Sequence, residues 1–318
     1  RLWQLTCARP ELSIVSPEFQ NSADSDILAA SGTMEAHTMA DFPRTEIDGL
    51  SVSRMVIGTN WFLGYSHTSL AKDSFIRETM SARRIADILE VFLKEGVDTI
   101  IGLMTEAHML EAVKDAEDRV GRRIIRIGTP ALDISDHPHA DSNTAGILDQ
   151  QAEAGTAICM PHQSTTDVLV DRLSRQIRRM DTYCSMIRER GMIPGLSTHM
   201  PESILYADDA GLDVQTYVQI YNAAGFMMQL EVDWVQRIIS GAKKPVLTIK
   251  PMAAGRLIPL VGLAFSWATI RDQDMVAVGT MTADEAREAI EISRSQLERR
   301  ISAVELQHTR SKATVMPA

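Results

Sequence analysis

The feature that most constrains how this chain can fold is a regular alternation of short apolar strands and amphipathic helices between Thr45 and Leu297. Val56-Ile57-Gly58 and Thr99-Ile100-Ile101 have the composition of buried strands, and a helical pattern follows each of them. Residues 166–190 are predicted as one long helix. The cycle repeats about eight times in about 250 residues, which is typical of a closed (β/α)₈ TIM barrel in the α/β class. A doubly wound open sheet is the alternative, but no GxGxxG turn follows the first strand.

The sequence predicts three regions around this pattern. Residues 1–43 are rich in Ser, Ala, Asp and Pro and have no sustained periodicity, so we expect an N-terminal arm or extension. Residues 44–300 are the predicted barrel, and residues 301–318 are the predicted C-terminal tail. Met39 is a plausible alternative start, so residues 1–38 are interpreted as an arm, a vector-derived piece or a pro-segment.

The composition argues against some classes of function. The formal net charge is -10 and the isoelectric point is near 5.3, which argues against a general nucleic-acid or anionic-membrane surface. No apolar stretch reaches transmembrane length. Cys7, Cys159 and Cys184 lie far apart, show no metal-binding spacing and suit a reducing cytosol. We therefore expect a cytoplasmic protein that acts on a small-molecule substrate, with its oligomeric state left open.

His162 closes the apolar run 157–160 and is followed at once by polar, helix-starting residues. This pattern is typical of a buried parallel strand that leads into a helix. Catalytic groups of α/β barrels lie at the C-terminal ends of the strands, so position and residue type together predict a functional side chain. The alternative is that His162 only remains from an ancestral site.

Five segments of the chain resemble one known family, in the same order and at similar spacing. They are GLSVSRMVIGT (49–59), GLSTHMPE (195–202), QIYN (219–222), KPMAAG (250–255) and VGTMT (278–282). These segments resemble the strand entries and strand ends of the aldo-keto reductases, and the resemblance extends over residues 45–297. It implies their TIM barrel and their NADP(H)-dependent reduction of carbonyl compounds, which uses an Asp, a Tyr, a Lys and a His.

Only one of these four catalytic residues has a counterpart here. His162 matches the His after the fourth strand of that family. Ile101-Gly102 stand where the second strand should end in Asp, and Thr129-Pro130 stand where the third strand should end in Lys. No Tyr lies between Gly102 and Leu110. Since a Tyr acid needs a neighbouring Lys to lower its pKa, the proton donor of the family is missing.

The resemblance also implies a cofactor site after the eighth strand. We predict that Gly279 and Thr280 meet a phosphate at the N-terminus of the last helix, with Arg287 as the nearby cation. NADP(H) is therefore a candidate cofactor.

Other polar side chains follow the predicted strands and are candidates for the same site. His199 comes from the strand beside that of His162, so the two rings are predicted to form an acid/base or ligand pair, unless His199 only caps the following helix. Tyr65 lies in an aromatic loop after the first strand and is predicted to act as a substitute proton donor or to line the pocket. Lys250 ends a strand, as Schiff-base lysines of barrel aldolases do. The alternative is that Lys-Pro is an ordinary variant of the aldo-keto reductase family at this strand end.

A divalent metal is a further candidate cofactor. Imidazole and carboxylate groups bind zinc, iron or manganese, and His162, His199 and Glu231 are the predicted ligands. The alternative interpretation of Glu231 is a carboxylate that stabilises a helix N-terminus.

Three functions stay open at this stage. The favoured one is a divergent barrel enzyme that acts on a small carbonyl or sugar-like substrate by His-centred acid/base chemistry of the isomerase, lyase or hydrolase type, either with or without a metal. The second is an NADP(H)-dependent reductase with a rearranged proton donor. The third is a non-catalytic barrel that serves as a binding or regulatory subunit.

Overall fold

A short antiparallel hairpin precedes the barrel in the computed structural model, which describes residues 41–305. Strand β1 (Arg44–Ile47) pairs with β2 (Leu50–Ser53). Asp48 and Gly49 connect them, both with positive φ, as a two-residue hairpin turn requires. The hairpin contributes Ile47 to the apolar cluster inside the barrel, so it closes one end of the barrel.

The remaining strands alternate with helices, as the sequence predicted. In chain order they are β3 (Met55–Gly58), β4 (Thr99–Gly102), β5 (Ile125–Gly128), β6 (Thr156–Cys159), β7 (Val170–Asp171), β8 (Gln176–Ile177), β9 (Ile193–Pro194), β10 (Leu196–Ser197), β11 (Tyr217–Ile220), β12 (Val246–Ile249) and β13 (Met275–Val278). Strands β7 and β8 form a separate antiparallel pair, and the other strands of this series belong to one parallel sheet.

The sheet closes on itself through Gly195. Its order is β10-β11-β12-β13-β3-β4-β5-β6-β9, and β9 and β10 are the two halves of one strand on either side of Gly195. Gly195 N donates to Cys159 O on one side at 3.0 Å, and Leu196 N donates to Thr216 O on the other side at 3.0 Å. A Cβ atom at Gly195 would lie 2.8 Å from Met160, so a larger residue would disturb this junction. The predicted (β/α)₈ barrel is therefore confirmed, and the open sheet is wrong.

Helices surround the sheet. They are α1 (Asn60–Leu63), α2 (Leu70–Thr79), α3 (Ala82–Lys94), α4 (Ala107–Val120), α5 (Ala140–Glu153), α6 (Gln163–Leu169), α7 (Met180–Arg188), α8 (Glu202–Ala210), α9 (Val232–Gly241), α10 (Pro259–Thr269) and α11 (Ala283–Leu297), with a short 3-10 helix at Ala253–Gly255. None of the helices within residues 41–305 is long and apolar enough to cross a membrane.

Alternate residues of the strands face two different apolar layers. In β3, Val56 points into the barrel, whereas Met55 and Ile57 pack outward in the layer that contains Leu89 and Phe92 of α3. Each such side chain contributes about 1.5–3 kcal/mol when fully buried. This arrangement fixes the register of the strands and therefore decides which residues emerge at the barrel mouth.

The long helix predicted over residues 166–190 is wrong. Helix α6 ends at Leu169, the β7–β8 hairpin follows, and α7 begins only at Met180. Asp171 Oδ1 accepts hydrogen bonds from the backbone N–H groups of Leu173 at 2.9 Å and Ser174 at 3.3 Å. These side-chain hydrogen bonds form a turn in place of the backbone hydrogen bonds of a helix.

The predicted terminal regions lie largely outside the described residues. Nothing in the structure tests the N-terminal arm over residues 1–40 or the tail beyond Glu305. Phe42 is fully buried in the outer layer, and its N–H donates to Glu95 O at 3.1 Å. The chain is therefore packed against the barrel from Phe42 onward.

Candidate active site at the barrel mouth

Lys250 and His67 meet where two loops cross the C-terminal ends of the strands. Lys250 directly follows β12, and its Nζ lies 3.1 Å from Nε2 of His67, in the loop between α1 and α2. Asn60 Nδ2 lies 3.2 Å from the same ring nitrogen. Because the ammonium and the amide NH₂ are both donors, Nε2 of His67 is the acceptor and its proton is on Nδ1.

His162 follows β6 and is fixed by the helix that begins after it. Its Nδ1 lies 2.8 Å from Ser164 Oγ and accepts the backbone N–H of Ser164 at 3.3 Å, so the ring caps the N-terminus of α6. This contact uses Nδ1 and leaves Nε2 as the ring nitrogen that a substrate could reach.

His199 follows β10 in a turn that Asp167 holds in place. The backbone N–H of His199 donates to both carboxylate oxygens of Asp167 at 3.2 Å, and Thr198 Oγ1 donates to Asp167 Oδ1 at 2.6 Å. Burial raises the pKa of Asp167, and these hydrogen bonds oppose that rise. We call Lys250, His67, His162 and His199 together the Lys250 cluster.

The cluster combines one cation with three neutral imidazoles. Burial lowers the pKa of Lys250 to about 8. Burial first, and then the charge of Lys250, lower the pKa of His67 and of His162, and together with the other two rings they lower that of His199 to about 4. Within residues 41–305 no carboxylate forms an ion pair with Lys250. At neutral pH the histidines are therefore free bases beside a lysine that loses its proton easily.

Tyr65 faces a different cavity. This cavity of about 350 Å³ lies between the first loop and helices α2 to α4, and Tyr65 lines it together with Phe62, Arg77, Glu106 and His108. No residue of the Lys250 cluster lines it. The role of Tyr65 as substitute proton donor stays a prediction.

The predicted metal ligands do not come together. His162 and His199 both belong to the mouth, but Glu231 is an exposed residue at the N-terminus of α9. The region 41–305 contains no group of three or more His, Cys, Asp or Glu side chains that could hold a metal ion.

Two carboxylates lie at the turn after β13, where a nucleotide phosphate was predicted to bind. Glu285 Oε2 accepts the N–H of Met281 at 2.6 Å, so this backbone N–H at the helix end is already hydrogen-bonded to a carboxylate. Asp284 adds a second negative charge in the first turn of α11 and pairs with Arg287 at 2.6 Å. One feature favours a ligand: Thr280 Oγ1 is buried and has no hydrogen-bond partner among the described residues.

Trp61 also covers this turn. A Cβ atom at Gly279 would lie 2.7 Å from Trp61 Cδ1, so the indole packs directly on the backbone of Gly279. Of the predicted cofactor residues, Gly279 is covered and Arg287 is paired, and only Thr280 has an unsatisfied polar group.

Sequence reasoning underrated two members of the site. Lys250 was one candidate among several, and the Lys-Pro pair at a strand end was its only signal. His67 lies in a loop between two helices that the strand–helix alternation does not include. The role of Asp167 in holding the His199 turn had no local signal, because the contact joins residues 31 and 32 positions apart.

Comparison with known proteins shows the fold. No family model matches the sequence, and no curated protein matches it either. A proposed aldo-keto reductase from Pseudomonas aeruginosa is 16% identical, with a TM-score of 0.59 over 81% of this chain and 99% of that chain. An aldo-keto reductase from Klebsiella pneumoniae in complex with NADPH is 14% identical, with a TM-score of 0.50 over 83% of this chain and 92% of that chain. The barrel is therefore similar to that of the aldo-keto reductases, as the sequence resemblance implied.

Proposed function

We propose that this protein catalyses proton transfer at the carbon beside the carbonyl group of a small molecule, a reaction of the isomerase or lyase type. Lys250 activates the carbonyl group, and His162 or His199 removes the neighbouring proton. The observation that carries the proposal is the Lys250 cluster itself, in which a desolvated lysine stands among neutral imidazoles at the mouth of a barrel.

The chemistry requires two groups with opposite roles. Removal of a proton beside a carbonyl group leaves negative charge that extends onto the carbonyl oxygen, so a group that withdraws electrons must stand close to it. Lys250 supplies this group, and a neutral histidine supplies the base. The low pKa of His199, about 4, keeps its ring unprotonated at neutral pH.

A second candidate is reduction of a carbonyl compound with a nicotinamide cofactor. The fold favours it, since the Klebsiella pneumoniae relative was solved with NADPH bound. Thr280 Oγ1, which lacks a partner among the described residues, is the one group at the turn after β13 that supports a ligand there. The carboxylates of Asp284 and Glu285 oppose a phosphate at the same helix end.

Two measurements separate these candidates. Small aldehydes and ketones, including dihydroxyacetone and glyceraldehyde, are incubated with the protein in D₂O, and NMR follows the replacement of protons beside the carbonyl group. NADPH and NADH are titrated separately, with their fluorescence as the readout. We expect catalysed exchange and no nucleotide binding up to millimolar concentrations.

Variants assign the roles. His162→Ala and His199→Ala should lower the exchange rate by about 10²–10⁴-fold if the respective ring is the base. His139→Ala, at an exposed position outside the cluster, is the matched control. Nucleotide binding together with carbonyl-dependent oxidation of NADPH would replace the proposal by the second candidate. If the protein shows no exchange and binds no nucleotide, the result would favour a non-catalytic binding subunit.

A further inference from the structure

Lys250 is a partly buried lysine beside a histidine. Its Nζ lies 3.1 Å from a neutral histidine, and no carboxylate pairs with it in the part of the chain that the structure describes. Burying an unpaired ammonium is costly, and a lysine responds by giving up its proton. A lysine that only stabilised the fold would gain from a carboxylate partner or from an apolar replacement.

The backbone at Lys250 is also unusual. Its φ is 61°, in the left-handed region that is unfavourable for a residue with a Cβ atom. Lys250 O accepts the N–H of Ala253 at 2.9 Å, which fixes the turn after β12. Residues in such conformations persist where the surrounding structure holds them, often at functional sites. Nζ of the residue held in this turn lies 3.1 Å from Nε2 of His67.

We infer that Lys250 forms an imine with the carbonyl carbon of a small aldehyde or ketone that carries a proton on the adjacent carbon. The inference rests on the proposed function and specifies how the carbonyl group is activated.

The step balances without a redox partner. The lone pair of neutral Nζ attacks the carbonyl carbon, and the π electrons of the C=O bond move to oxygen. The alkoxide oxygen takes up the proton that nitrogen loses and a second proton from solvent, and then leaves as water, so a protonated C=N bond remains. His162 and His199, whose pKa values the charge of Lys250 lowers, are the bases that we assign to these proton transfers. The iminium withdraws electrons more strongly than the parent carbonyl, so a histidine removes the adjacent proton more easily.

The amount of nucleophile is adequate at neutral pH. With a pKa of about 8, roughly a tenth of Lys250 is unprotonated at pH 7, against fewer than about one in a thousand for an ordinary lysine. The charge of Lys250 lowers the pKa of His67, His162 and His199, so all three are neutral at this pH. No carboxylate within residues 41–305 forms an ion pair with Lys250.

Reductive trapping tests the inference on the intact protein. The wild-type chain is treated with propanal and sodium cyanoborohydride, which reduces imines much faster than aldehydes, and peptide mass spectrometry measures the early alkylation rate at each lysine. Lys114 is the internal control, because it is exposed and lies on α4. We expect Lys250 to react at least about tenfold faster than Lys114 at pH 7, with the ratio falling as the pH rises above about 8. Alkylation of Lys250 no faster than that of Lys114 overturns the inference.

The Lys250→Arg variant distinguishes failure of the inference from failure of the proposed function. Arg keeps the positive charge but forms no imine under these conditions. If Lys250→Arg loses deuterium exchange as completely as Lys250→Met, the imine is supported. If Lys250→Arg retains at least a tenth of the wild-type exchange rate, the cation alone is sufficient, so the imine is wrong and the proposed function stands. Rapid trapping at Lys250 without any exchange supports the imine and contradicts the proposed proton transfer.

Discussion

Nζ of Lys250 and Nε2 of His67 lie 3.1 Å apart although 183 positions separate the two residues in the chain. One follows the seventh strand of the barrel, and the other lies in the loop between the two helices inserted after the first strand. Because Asn60 directs its amide at the same ring nitrogen, at 3.2 Å, His67 is held as a neutral acceptor.

The pKa of His67 should report on Lys250. Partial burial, and then the charge of Lys250, hold this pKa below its usual value, so Lys250→Met should raise it. Only part of the shift should be recovered, since burial remains the larger cause. Two-dimensional ¹H–¹⁵N NMR of the ring nitrogens measures the titration, with exposed His139 as internal reference. An unchanged His67 titration in the variant would contradict the close contact.

Lys250→Met should stabilise the protein in a pH-dependent way. The folded pKa of about 8 lies below the unfolded value of about 10.4, so the unfolded state binds more protons between these values and wild-type stability rises with pH. We expect the variant to have the larger free energy of unfolding at pH 7. Its advantage should shrink by about 2 kcal/mol at pH 9.5. Urea denaturation at both pH values measures this. Lys114→Met is the control, and a pH-independent difference would show that Lys250 is not desolvated.

Asp167 should act as a hydrogen-bond acceptor rather than as a charge. Asp167→Asn keeps an oxygen for Thr198 Oγ1 and for the N–H of His199, and removes a desolvated carboxylate, so it should change the free energy of unfolding little. Asp167→Ala leaves both donors without this partner and should cost about 1–3 kcal/mol. Thermal or urea unfolding of the pair measures the difference. Equal losses in both variants would mean that the negative charge itself is required.

Gly102 should tolerate no side chain at the end of β4. A Cβ atom there would lie 1.7 Å from Thr59 Oγ1, and φ is +146°. Gly102→Ala should therefore destabilise the barrel by about 2–4 kcal/mol, since the strand end and the backbone conformation must both shift.

Gly146 provides the matched control for that substitution. It lies within α5, and a Cβ atom there has nothing within 4 Å. Gly146→Ala should stabilise by about 0.5–1 kcal/mol through helix propensity. Chemical denaturation measures the free energy of unfolding of both variants. Similar changes at the two glycines would contradict the crowding at Gly102.

Much of the fold follows from local patterns. Ile85, Ile88, Leu89 and Phe92 recur at helical spacing and all become buried on α3, as the sequence indicates. The failure at residues 166–190 has a local cause too, because the carboxylate of Asp171 competes for backbone amides that a helix would use. Periodicity alone does not register such a competition.

The candidate site was predictable only in part. His162 and His199 follow buried strands in the sequence. Because the C-terminal ends of barrel strands meet at the mouth, the sequence predicted both rings there. Tyr65 and Arg287 had suitable chemistry and nearby positions along the chain, but the fold turns Tyr65 to another cavity and pairs Arg287 with Asp284. Residue type and spacing do not reveal which partner a long side chain reaches.

The sequence by itself determined the barrel, because each strand and helix follows from the pattern of a few neighbouring residues. About eight such strand–helix units in a row are typical of a closed barrel. Only the tertiary structure brought Lys250 together with His67. The low pKa of Lys250 arises from desolvation, and its neighbours His67, His162 and His199 come from three separate loops. Desolvation and the electrostatic field at a point depend on everything packed around it, which no stretch of neighbouring residues specifies.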